Sequence, residues 1–159
     1  MIPNYALSST SEKRLYTCHE ELVTIAETSL SRSLVDFGIA QGERSKEQQL
    51  KYFKDDKSTL DPRNDADLAK AKHIVSPEHG RLMSHAMDIY AWVDGSINWD
   101  RKYYMYLAGI IQSVSLELYK NGIHKYMVRW GGNWDSDGII SDDQTFDDLV
   151  HFELANPSL

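Results

Sequence analysis

A chain of 159 residues and 18.2 kDa is long enough for one folded domain with a modest insertion. Its formal net charge of −7 and pI of about 5.3 exclude long-range attraction to nucleic acid or an anionic membrane surface as the basis of its action. One cysteine, Cys18, excludes an internal disulfide, and no apolar run approaches the roughly 20 residues that span a bilayer.

In chain order, the opening MIPNYALSSTSEKR lacks the basic stretch and apolar run of a signal peptide, so synthesis as a soluble cytoplasmic chain is expected. Over 12–36, Leu15, Leu22, Ile25, Ala26, Ser29 and Leu30 recur at near-helical spacing and predict that most of the segment is one helix. Cys18 falls in that periodic segment and reads as a core residue rather than a nucleophile. FGIAQGER follows as a strand, and Ser45 with Gln48 predicts a capping box opening a second helix over KEQQLKYFK. Residues 55–80 are charged and turn-rich with two prolines, which predicts an exposed polar excursion with a short helix near Ala66 to Ala71. A connection of that length commonly borders a functional site.

His85 to Trp92 reads as a strand entering the core, and Asp94-Gly95 as a hairpin turn into SINW. Asp100 caps a helix whose apolar stripe is Tyr103, Leu107, Ile110, Ile111, Val114 and Leu118, and Asn121-Gly122 ends it. KYMVRW is a strand, GGNWDSDG and DDQTFDD are loops, and VHFEL is a final strand. The acidic stretches at 55–67 and 135–148 read as solvated loops. The pattern is α+β: a small antiparallel sheet packed with helices, in a single domain spanning 1–159.

Two segments carry the chemistry. HGRLMSHAMD (79–88) and DDLVHFEL (147–154) hold histidines and acids at spacings suited to a divalent metal. Asp88 interrupts an apolar strand, and a buried carboxylate requires a cation, strong hydrogen bonds or a metal. Asp148 precedes His151 by three residues, which can set a carboxylate beside a metal-bound histidine as a proton carrier. Each residue alone has a plain alternative: a hydrogen-bonded core histidine for His151, a salt bridge for Asp88, solvated surface for Asp148.

Several stretches in order resemble one family along nearly the whole chain: DFGIAQGERSKEQQ, SHAMDIYAWVDGSINWDRKYY, ELYKNGI, RWGGNWDS and HFEL. They are similar to phage endolysins of the L-alanyl-D-glutamate peptidase type, within the zinc peptidases that include D-Ala-D-Ala carboxypeptidases. The resemblance implies that fold and a zinc cofactor, with Asp88 and His151 as ligands and Asp148 as catalytic base. It places Arg44 against a substrate carboxylate or as a residue that orders the site.

The implied substrate is the peptidoglycan stem peptide, cut at the L-Ala–D-Glu amide by a monomer that reaches the wall after the membrane is permeabilised. In that family the segment before the aspartate is similar to S-x-H-x-x-G-H-A-x-D, and its first histidine is a ligand. Without gaps that position falls on Arg81, and arginine cannot ligate zinc. Three readings stay open: His79 swings in as the ligand, His73 or His85 serves, or Arg81 pairs with Asp88 and no metal binds. The last would leave a silent protein that binds peptidoglycan or a protein partner through the old cleft.

Overall fold

The computed structural model describes residues 3–138, 140, 144 and 146–157. The first predicted helix is two. Helix α1 (Ser9–Leu15) and α2 (Glu20–Arg32) are separated at Tyr16–His19, where the Thr17 hydroxyl bonds the Arg14 carbonyl at 2.6 Å and His19 Nδ1 accepts from the Glu21 N–H. A side chain that competes for a helix carbonyl, followed by a histidine able to cap, supplies a stop and a start that periodicity alone does not show. Cys18 lies in this break, 1 % exposed, and burial pushes its thiol up to about 12, as suits a core residue.

Strand β1 (Asp36–Gln41) leads through Gly42 to α3 (Lys46–Lys54), whose first turn is capped by the Ser45 hydroxyl accepting from the Gln48 N–H. Only this half of the capping box forms, because the Gln48 amide turns instead to the Tyr52 hydroxyl and the Gln41 side chain. Helix α4 (Asp65–Lys70) and a short 3₁₀ turn (Pro77–His79) break the long connection that follows. That connection is less exposed than its composition predicts. Leu68, Ala71 and Ile74 are buried with Leu60 packed on them, a small core of their own.

Strands β2 (Ala86–Val93) and β3 (Ser96–Asn98) form the expected hairpin, with Asp94 and Gly95 both at positive φ, as a tight two-residue turn of matching twist requires. Helix α5 (Arg101–Lys120) is capped by Asp100 and buries Tyr104, Leu107, Ala108, Ile111, Val114 and Ser115. Strands β4 (Met127–Gly131) and β5 (Asp148–Ala155) complete the sheet, so Asp148 belongs to the strand rather than to the acidic loop before it. Much of DDQTFDD lies outside the described residues.

The sheet runs β1-β2-β5-β4 with β3 beside β2, and every pairing is antiparallel. Its two faces differ in kind. Met87, Ile89, Ala91, Val128, Trp130, Phe152 and Leu154 point into the core shared with α2 and α5. The alternate residues Asp88, His151, Glu153 and Arg129 face the other way, toward the long connection. Among the described residues no helix is long and apolar enough to cross a membrane.

Candidate metal centre

Register places the first two polar groups. Asp88 of β2 stands directly opposite His151 of β5, so their side chains emerge side by side on the polar face. The Asp88 Oδ1 lies 3.0 Å from His151 Nδ1. The third group comes from the long connection: His73 Nε2 lies 3.1 Å from the same carboxylate oxygen and 3.2 Å from His151 Nδ1. Among the described residues, these are the donor atoms that converge as a metal site would, all within 4.8 Å of one another.

The outer bonds of the two imidazoles decide what the inner atoms offer. His73 Nδ1 is 2.6 Å from the Gly42 carbonyl, which can only accept, so the proton sits on Nδ1 and the Nε2 lone pair faces inward. His151 Nε2 is 3.0 Å from the Glu153 carboxylate, which holds a proton there and turns the Nδ1 lone pair inward. Two lone pairs and a carboxylate oxygen thus meet at one point. Such a cluster fits a cation, with Glu153 and Gly42 holding ring orientation as outer partners of metal-bound histidines do.

The proton affinities follow. For His151, burial works against the charged ring, but the Asp88 and Glu153 carboxylates outweigh it and lift the imidazole to about 10. Burial likewise opposes the Asp88 charge, yet His73 and His151 hold this carboxyl well below the usual range. Glu153, buried at 4 % exposure, is held low against its desolvation by His151 and by Arg129, which bonds it through both Nε and a terminal nitrogen. Without a metal, the extra proton on His151 therefore stands in for the cation.

Two glycines make the frame possible. A Cβ at Gly42 would fall 2.1 Å from the Arg14 carbonyl, so only glycine lets the loop press against α1 and aim its own carbonyl at His73. A Cβ at Gly131 would fall 2.2 Å from the Asp148 carbonyl. There the register breaks: Trp130 opposes Phe152, but Gly131 opposes Asp148. The bulge frees Asp148 from strict alternation with His151. Its carboxyl is raised above the ordinary value by burial and by the Asp88 charge, against the pull of His151, His73 and Arg44.

Arg44 lies at the same centre. One terminal nitrogen reaches Asp88 Oδ2 at 3.3 Å, the other reaches Gln49 Oε1 at 3.0 Å, and the guanidinium sits over the Tyr52 ring. Its backbone N–H donates to the His73 carbonyl, which ties the two loops together.

The structure corrects the reading of 79–88. His79 does not swing in: its Nδ1 is bonded to Ser76 Oγ at 2.8 Å and its Nε2 lies 3.3 Å from Asp65. His85 ends the loop just before β2, with its ring against His19 and Tyr126. Burial and the nearby cationic groups push that ring down to about 4, so it stays neutral. Arg81 does not pair with Asp88. At 2 % exposure it donates to the carbonyls of Leu68, Ala69, Ala71 and Ile74, which bracket His73.

His73 thus converges on Asp88 and His151, whereas ungapped counting pointed to Arg81, eight positions later. The added residues form the 3₁₀ turn and a return bridge between Ser76 and Arg81. Sequence reasoning also passed over Glu153 and Trp134. An acid two residues from His151, between Phe152 and Leu154, had a signal: alternation puts it on the histidine's face. The Trp134 ring lies 5.5 Å from the His151 ring and under the Arg129 guanidinium, a contact set only by the fold.

With this geometry in place, comparison with known proteins gives a concordant class. Residues 3–155 match the family of phage L-alanyl-D-glutamate peptidases, and the chain belongs to that family. The structure is similar to that of the Serratia marcescens L-Ala D-Glu endopeptidase ChiX, with a TM-score of 0.67 and 25% sequence identity over 94% of this chain and 90% of that one. No curated protein matches the chain.

Proposed function

We propose that this protein is a zinc-dependent peptidoglycan endopeptidase that hydrolyses the L-alanyl–D-glutamate amide of the stem peptide. The observation that carries the reading is the convergence of His73 Nε2, His151 Nδ1 and Asp88 Oδ1, with both outer imidazole nitrogens already engaged. Two imidazoles and one carboxylate suit zinc and leave a coordination position for water. Zinc bound there supplies Lewis acidity toward the amide carbonyl and toward water.

The chain's own residues do the rest. Asp148 takes the proton of the attacking water at its carboxylate and returns it to the departing amine nitrogen. Its carboxyl, raised by burial, holds a proton more readily than a surface aspartate, which suits a group that must accept and then release one. Arg44 fixes the second oxygen of Asp88 so that the first points to the centre. Glu153, clamped by Arg129, fixes His151. Arg81 holds the loop carbonyls around His73, which favours an active enzyme over a silent relative.

The test is digestion of purified peptidoglycan by the zinc-loaded protein, with mass spectrometry of the released fragments. New amino-terminal glutamate is the expected product. Intact stem peptides, or cuts at another bond, would defeat the proposal.

A further inference from the structure

A cleft of about 780 Å³ runs beside the triad, with Lys72, Arg81, Arg129, Glu153 and Trp134 in its walls. Glu153 lies two residues from His151 on the same face of β5, and Arg129 stands opposite it, so the cleft continues the surface that carries the metal centre. Its charges do not cancel. Glu153 is shared between His151 and Arg129. Arg81 donates to neutral carbonyls and makes no ion pair, so only the more distant Glu78 and Glu153 offset its charge. Asp135, also in the lining, is exposed.

Lys72 is half-buried, and among the described residues its ammonium has no hydrogen bond or ion pair; only its backbone carbonyl is used, by the His85 N–H and the Ser84 hydroxyl. Holding an unpaired ammonium partly out of water is unfavourable, and an arriving anion would relieve that cost. The chain as a whole carries −7, so this local excess of positive charge runs against its overall balance.

We propose that Lys72 forms a carboxylate subsite that reads the free carboxylate of the glutamate on the leaving side of the scissile amide. The inference rests on the peptidase reading above. A glutamate whose nitrogen lies in the scissile bond has two carboxyl groups, and continuing the peptide uses one. The other stays next to the reaction as a carboxylate or, where modified, a carboxamide. Arg44 is committed to Asp88 and Gln49 and Arg129 to Glu153, whereas among the described residues the Lys72 ammonium has no partner at all.

The test uses two synthetic peptides identical except for carboxylate or carboxamide at that glutamate. Zinc-loaded wild type is expected to favour the carboxylate by about tenfold in KM, the size of one charge-assisted hydrogen bond. In Lys72→Met that preference should collapse to within about twofold, and Lys72→Arg should restore it. Lys70→Met, which removes an equal charge from the exposed end of α4, should retain it.

A second arm titrates zinc-free protein with the two product peptides that begin with this glutamate. Wild type should bind the carboxylate form about tenfold more tightly, and Lys72→Met should not discriminate. A preference that survives in Lys72→Met in either arm, or its absence from wild type, would overturn the subsite. If wild type cut neither peptide, the peptidase reading would fail and the binding arm would still decide the subsite.

Discussion

The two halves of the candidate metal centre are held by different physics. Asp88, His151 and Glu153 project from adjacent strands, where pairing register and alternation set which residues stand side by side. His73 projects from a connection that has only a three-residue apolar core, and its place depends on one buried guanidinium, one glycine carbonyl and the Arg44 backbone. The strand half is rigid by construction. The loop half is rigid because polar groups have been spent on it. The same His-Asp-His cluster can thus be robust on one side and conditional on the other, and substitutions should reveal which side they touch.

The largest effect is expected at the strand half's irregular end. Asp148→Asn should lower kcat by roughly 10²–10⁴-fold while zinc stays bound, as loss of a general base does. Zinc content and turnover measured on the same sample check this. Loss of zinc together with activity would make Asp148 part of the metal frame instead.

Arg81→Ala should damage the loop half alone. Four backbone carbonyls lose a shared donor, for a destabilisation of about 3 kcal/mol. Zinc affinity should fall with it, because His73 is no longer bracketed. Arg81→His should behave in the same way and gain no zinc affinity. Chemical denaturation and zinc competition read the two quantities separately, and a tighter site in Arg81→His would return Arg81 to the metal centre.

Glu153→Gln should act on the strand half. It leaves the His151 ring without its anionic partner and should weaken zinc binding by about 10–100-fold. An unchanged zinc affinity would mean that packing against Trp134 alone orients the ring.

The smallest effect is on pH dependence. The His151 imidazole is raised to about 10 from 6.5 in the metal-free fold. Its contribution to stability is therefore complete below about pH 6.5 and is lost as pH rises through about 10. The melting temperature of zinc-free protein should fall across that window, whereas zinc, taking the proton's place, should flatten the decline. A zinc-free curve that rises toward pH 10 would contradict the sign.

The strand half was legible in the sequence because its signals are local. An aspartate inside AMDIYAW cannot be buried without a partner, and a histidine in VHFEL follows Asp148 by three residues; only Glu153, on the histidine's face by alternation, was passed over. The Asp100 cap, the Asp94-Gly95 turn and the α5 stripe were equally local and are present as expected. The loop half was not legible. His73, His79 and His85 are all chemically able to ligate, and ungapped spacing pointed at Arg81. Choosing among them requires knowing that Leu68, Ala71 and Ile74 bury together and fold the intervening turn aside. The break at Tyr16–His19 escaped for a related reason: apolar periodicity continues across it while side chains cap and end the helices.

The most direct measurement is the zinc content of wild type, His73→Ala and His79→Ala after identical reconstitution without a metal-binding tag. The account predicts one zinc per chain in wild type and in His79→Ala, and none retained in His73→Ala. Zinc kept by His73→Ala and lost by His79→Ala would contradict it.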